Sequence, residues 1–245
     1  MATTMTTETS AAGGPAALPG LRRPIPKWIW LGIIFAALLP LIGGQTGLIS
    51  NFYFLQLSLM IVYSIAVLGL NLLTGFNGQI SLGHGAFFAV GAYVTAILID
   101  RYEMHYLATL PLAMIACFIV GYLFGRPALH LEGHYLALAT FALAIAVPQF
   151  LKYRHFEPLT HGVQGINIFK PDPPFGLPLS PDQWLYLVVL ACAVVMFIVA
   201  RNIVQSRMGR AMMAIRDQPL AADTMGINSA RTKSITFGIS ALYVG

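Results

Sequence analysis

Long apolar runs broken by short polar islands set the pattern of this chain. No charged residue occurs between Trp28 and Ile99, far more than the roughly 20 residues that one spanning helix needs, so several spans lie there. The interruptions divide the chain into apolar segments at 28–42, 52–73, 86–99, 106–124, 135–151 and 184–200, and a seventh begins near Ile235. Eleven residues, 235 to 245, cannot cross a bilayer, so the chain reads as a fragment cut within that span. The predicted class is an all-α polytopic membrane protein with about six complete transmembrane helices and a shortened seventh. Trp184 and Tyr186 stand where interfacial anchors belong. Gly121 and Gly125 form a small-xxx-small pair that lets another helix approach closely.

Two polar islands stand out. The run Gly75-Phe-Asn-Gly-Gln-Ile-Ser-Leu-Gly-His-Gly85 has four glycines, with Asn77, Gln79, Ser81 and His84 but no charge, and a continuous helix is not expected there. Two readings stay open: a tight turn between hairpinned helices, or a broken helix lining a path for a polar solute, since irregular backbone at membrane depth is tolerated only where protein or a water-filled cavity satisfies it. The second island, 209–228, predicts two short helices outside the membrane. Arg207 to Arg216 is a basic helix with Met208, Met212 and Ile215 on one face, and Pro219 forces a bend at Gln218. A second helix starts at Pro219, with Asp217 as its expected cap, Leu220, Ala221, Ala222 and Met225 as a small apolar face, and Gly226 as its stop. Such a pair either docks into a groove of another protein or rests on lipid headgroups.

Composition and charge narrow the class. The chain is 57% hydrophobic and 9% charged, with a mean hydropathy of +0.73, which excludes a soluble globular domain. The net charge of +5 is a topology signal, not a nucleic-acid one. With the N-terminus inside, ten of the fourteen Lys and Arg residues fall on inner segments (Arg22, Arg23, Lys27, Arg126, Arg201, Arg207, Arg210, Arg216, Arg231 and Lys233), against Arg101, Lys152, Arg154 and Lys170 outside. Residues 1–27 are then a cytoplasmic tail, with 28–245 as one transmembrane domain. Cys117 and Cys192 lie in different spans as packing residues. His130 and His134 have the i, i+4 spacing of metal ligands, but Gly133 and the lack of a third ligand argue against a metal site. No phosphate loop, nucleophile elbow or acid and base pair is present, so no catalytic residue is assigned and an enzyme is not expected. The spans also lack acids or bases that would couple protons or ions, so the energy for transport must come from elsewhere.

The run from Leu68 through Gly75-Phe-Asn-Gly-Gln-Ile-Ser-Leu-Gly-His-Gly85 to Tyr93, followed by Gly209-Arg-Ala-Met-Met-Ala-Ile-Arg-Asp217 and Ala221-Ala-Asp-Thr-Met-Gly-Ile-Asn228, resembles the LivM-type permease subunit of branched-chain amino-acid ABC importers. Ser81-Leu-Gly-His84 favours LivM over the sister LivH type. The resemblance implies an inner-membrane importer of leucine, isoleucine or valine, in which this chain forms half the pore. Its partners would be a LivH-type permease, two cytoplasmic ATPases that hydrolyse the ATP, and a periplasmic binding protein; no cofactor is held by the chain itself. The substrate pathway is then expected at Gly75, Asn77, Gly78, Gln79, Ser81, Gly83 and His84. The ATPase-coupling motif falls on Gly209, Arg210, Ala214, Ile215, Arg216 and Asp217, then Leu220, Ala221, Ala222, Met225, Gly226, Ile227 and Asn228. Thr160, His161, Gly162 and Gly165 occupy a glycine-rich external loop that would meet the binding protein. Gln218-Pro219 departs from the Asn and acidic residue that relatives often carry. A urea or short-amide importer, and from another class a stand-alone channel or facilitator, are the competing readings.

Overall fold

The computed structural model describes residues 26–45, 50–128, 131, 133–162, 164–171, 173 and 179–245, and among them every regular element is helical. The tail expected over 1–27 lies outside the described residues up to residue 25, as does His130 of the histidine pair. Five helices are long and apolar enough to cross a membrane: Asn51–Phe76, His84–Tyr102, Tyr106–Pro127, His134–Leu151 and Pro181–Gln205. In chain order the elements are α1 (Lys27–Gln45), α2 (Asn51–Asn71, continued by a π-helical turn at Leu72–Phe76), α3 (His84–Tyr102), α4 (Tyr106–Ala128), α5 (His134–Leu151), α6 (Glu157–Thr160), α7 (Pro181–Gln205), α8 (Arg207–Asp217), α9 (Pro219–Thr224) and α10 (Ser229–Val244).

Several helix ends differ from the sequence expectation, each for a local reason. Asp100 and Arg101 extend α3 beyond the expected 86–99 segment, because the chain turns only at Glu103, whose φ is 49° and whose N–H reaches the Leu98 carbonyl. Helix α4 runs to Ala128, past the expected end at 124, with Pro127 in its last turn. The 152–183 loop carries the one-turn helix α6, opened by Glu157 and Pro158.

Polar residues at the helix starts fix the directions. Ser180 and Gln183 form a reciprocal capping box at α7, and the Ser180 hydroxyl also donates to Asn51 Oδ1 at 3.0 Å. The starts of α2 and α7 therefore lie at one end, where Trp184 Nε1 also donates to the Tyr106 hydroxyl at 2.8 Å. The opposite end gathers α8, α9 and the starts of α5 and α10. Hydroxyls within the helices bond to carbonyls one turn back, as Ser58 does to Phe54, Ser64 to Met60 and Thr236 to Thr232, so they need no partner in lipid.

The most enclosed element is α10. It packs antiparallel on α4, where Gly121 takes the Ala241 Cβ and Gly125 the Phe237 Cβ against bare backbone. Phe237 is fully buried, its ring edge-on to Phe87 with centroids 5.8 Å apart. Leu73, Ala241 and Val244 complete that core. Outward-facing Met60, Val67, Ile115, Leu123, Leu138 and Ile145 present the apolar exterior expected of a bundle solvated by lipid.

Candidate functional site

The Gly75–Gly85 region resolves into a helix end, a break and a new helix start. Gly75 belongs to the π turn that ends α2, where Asn71 Oδ1 leaves no room for a side chain. Residues 77–83 are non-helical, and α3 begins at His84. The break climbs inside the bundle instead of turning at its rim. At its lower end Arg216 Nη1 of α8 donates to the Gly75 carbonyl at 2.8 Å. At its upper end the Leu82 N–H donates to Thr140 Oγ1 at 3.0 Å, six residues, or about 9 Å, along α5 from His134. A tight turn does not describe this path; a discontinuous transmembrane segment does.

Hydrogen bonds satisfy most of the freed polar groups. Asn77 Nδ2 donates to Gln79 Oε1 at 2.8 Å, and the Gln79 N–H reaches back to the Leu73 carbonyl at 3.2 Å. His84 links three segments: Nδ1 lies 3.0 Å from Ser81 Oγ and Nε2 lies 2.6 Å from Ser240 Oγ of α10, while the Ser240 hydroxyl donates to the Gly69 carbonyl at 2.7 Å. Because Ser240 spends its single proton on that carbonyl, Nε2 must be the donor to Ser240. A neutral ring then accepts the Ser81 proton at Nδ1, and every group in the chain is used. His84 is therefore a fastener between the break, α10 and α2. Gly83 is packed directly on the Thr140 carbonyl, a close approach that only glycine permits.

The second island folds as two short helices, with two corrections. Ser206 caps α8, accepting from the Met208 N–H at 3.1 Å, and Gly209, Met212 and Ile215 form its buried face; Met208 is half-buried beside them. Asp217 does not cap α9. Gln218 holds the cap position without a side-chain bond, and Asp217 Oδ1 instead accepts from Arg216 Nε at 3.0 Å. Nor do the apolar residues of α9 share one face: Ala222 is 4% exposed and turned inward, whereas Leu220 and Met225 are 83% and 84% exposed. Less than two turns long, α9 takes its facing from its anchors. Gly226, at φ +82°, reverses the chain, the Ile227 N–H bonds to the Ala222 carbonyl, Asn228 caps α10 through the Arg231 N–H, and Asp223 Oδ1 accepts from the Ser229 hydroxyl. The outer surface of this end thus combines exposed Arg210, Ala221, Leu220 and Met225. Ala214 is half-buried, toward the bundle.

Arg216 joins the two islands. Besides its bond to Gly75, its side-chain stem lies against Gly78, whose φ is +72° and where a Cβ would stand 2.8 Å from Arg216 Cγ. At the far end of the bundle, Thr160 is buried, its hydroxyl donating to the Leu151 carbonyl at 2.8 Å, and Gly162 is buried against it. His161 is exposed, 3.7 Å from Asp100, and Gly165 is half-buried at φ +70°. Thr140 and Ser240 were missed by sequence reasoning. Thr140 could have been noticed as the lone hydroxyl between Tyr135 and Pro148 of an apolar span; Ser240 gave no comparable signal among the hydroxyls of α10.

A family model described as the permease component of branched-chain amino acid transport systems matches residues 52–245. The high-affinity branched-chain amino acid transport system permease protein LivM of Escherichia coli is 32% identical over 212 residues, covering 77% of this chain and 49% of that protein. LivM of Salmonella typhimurium is 31% identical over 211 residues, with the same coverage, and the permease BraD of Pseudomonas aeruginosa is 27% identical over 194 residues, 73% of this chain and 62% of that protein. The chain thus spans about half the length of the two LivM relatives. No solved structure matches it.

Proposed function

From the premise that this chain belongs to the permease family of branched-chain amino-acid transport systems and is of LivM type, we propose that it forms half the translocation pore of an ATP-driven importer of leucine, isoleucine and valine. The observation that carries the reading is the Arg216 link: one side chain joins the exposed helix pair to the break in the transmembrane path. Movement imposed on α8 and α9 from outside reaches Gly75 and Gly78 without an intervening flexible loop.

Ten of the fourteen basic residues lie on segments at the α8 and α9 end or on the N-terminal side of α1, so the positive-inside rule assigns this end to the cytoplasm. There Leu220 and Met225 supply apolar anchors for a groove on an ATPase subunit, in the helix-in-groove mode. A LivH-type subunit supplies the other half of the pore, and a periplasmic binding protein delivers substrate to the end that carries His161. The membrane is the bacterial inner membrane. Asn77 to His84 line the path, and ATP is hydrolysed by the partner ATPases.

The test is a Leu220→Asp, Met225→Asp double variant of the full-length subunit, coexpressed with its partners. Both side chains project outward, so the subunit should insert and fold as before while copurification of the ATPases falls about tenfold or more, as loss of two interface anchors predicts. Unchanged copurification together with unchanged ATP-dependent uptake would remove α9 from the coupling surface.

A further inference from the structure

Residues 79–82 of the break alternate in burial. Gln79 and Ser81 are 7% and 5% exposed, whereas Ile80 and Leu82 are 45% and 60% exposed. A period of two is that of extended chain, whose successive side chains point to opposite sides. The polar side chains are turned into the subunit and spent there: Asn77 and Gln79 are bonded to each other, and Ser81 to His84. The two aliphatic ones form an outer edge.

Taken alone, aliphatic side chains turned outward would suit lipid. The main chain does not. Among the described residues, Gly78 and Ile80 make no main-chain hydrogen bond through either N–H or C=O, while the neighbouring Gln79 and Leu82 N–H groups are both bonded. Free peptide groups are costly in hydrocarbon, so this edge needs water or another protein beside it. Water is the better match. Gly78 and Ile80 border a hollow of about 190 Å³ together with Arg216 and Lys233, and cationic side chains beside a membrane-spanning segment face water-filled space.

We infer that the break meets the transport path with its outer edge, where Ile80 and Leu82 set the bore and the free main-chain groups of Gly78 and Ile80 exchange hydrogen bonds with water and a passing solute. Asn77, Gln79 and Ser81 are the scaffold behind that edge. The inference rests on the importer reading and deepens it, since it names the groups of the break that the solute meets. It reverses the expected facing, in which the polar side chains themselves line the path.

The test uses the full-length subunit assembled with its partners in proteoliposomes. Single added cysteines are treated with a charged methanethiosulfonate, which reaches thiols in water but not in lipid. Ile80→Cys and Leu82→Cys should be modified about tenfold or more faster than Gln79→Cys and Ser81→Cys. Ile80→Trp and Leu82→Trp should each lower ATP-driven leucine uptake about tenfold or more, with the partner permease and the ATPases still copurifying and the thermal melt unchanged. Both tryptophans project outward, so they decide the matter even if an inward cysteine disturbs the scaffold. The inference is overturned if the charged reagent spares Ile80→Cys and Leu82→Cys while a lipid-soluble maleimide modifies them, which would make the edge a lipid face. It is equally overturned if the tryptophan variants release the partner permease, which would make it a subunit seam, if they transport like the parent, or if all four cysteines react alike. A parent complex that takes up no leucine with ATP would instead overturn the importer reading, and the labelling pattern, read without transport, keeps the two failures apart.

Discussion

Ser240 shows how a single hydroxyl can hold three helices in register. It accepts from His84 Nε2 and donates to the Gly69 carbonyl, so Ser240→Ala leaves a buried imidazole N–H and a carbonyl without partners, at a cost of about 1–3 kcal/mol for each group left unsatisfied. The unfolding midpoint of the purified complex should fall by several degrees, and an unchanged midpoint would mean that His84 is not fastened there. Gly78→Ala tests the link to α8. Its φ of +72° and the nearness of Arg216 Cγ make the substitution doubly unfavourable, so ATP-driven uptake should drop about tenfold or more while the ATPases still copurify, a rate loss equivalent to about 1.4 kcal/mol or more. Much of this region was legible at the level of single residues: four glycines among uncharged polar side chains announced a break. The partners were not legible. Thr140 is 58 positions from Leu82 and Ser240 is 156 from His84, and which hydroxyl meets which donor is decided by how the helices stack.

At the scale of elements, local chemistry carried further. Pro219 and Gly226 marked the bend and the end of the second short helix almost to the residue, because caps and breakers act within one turn; Ser206, which caps the first, was not read from the sequence. The facing of α9 was beyond their reach, since six residues give no reliable period and the chain closure onto α10 turns Ala222 inward. The small-xxx-small pair in α4 did identify a packing face, and it yields a contrast. Gly121→Leu would drive a side chain into Ala241 and force α10 away, an overpacking of about 1–3 kcal/mol or more that a thermal melt of the complex should reveal. Gly85→Ala, in the first turn of α3 with nothing within 4 Å of the new Cβ, should leave the melt unchanged or raise it slightly, by up to about 1 kcal/mol in stability.

For the whole molecule, apolar runs located in order the five helices that are long and apolar enough to cross a membrane, against about six expected, but α10, the most enclosed element, has the least conspicuous sequence. Its interior face is built from Thr232, Ser234, Thr236, Gly238 and Ser240, which read as polar although they pack. The assigned orientation puts Phe169, 93% exposed, and Leu220 on opposite sides of the membrane. Cys117 is buried and Cys192 is partly buried within a helix, so a single added cysteine should dominate labelling. A membrane-impermeant maleimide applied to intact spheroplasts should label Phe169→Cys and spare Leu220→Cys, with the reverse in inverted vesicles.

On the proposed function, ATP hydrolysis outside this chain drives an aliphatic amino acid through it, by way of α8, α9 and Arg216. Uptake of labelled leucine into proteoliposomes that hold the full-length subunit, its partner permease, the ATPases and the binding protein tests this most directly. Leucine should accumulate only when ATP is supplied, and the Leu220→Asp, Met225→Asp variant should abolish accumulation. Leucine flux that is equal with and without ATP, and indifferent to that variant, would make the protein a facilitator and contradict the account.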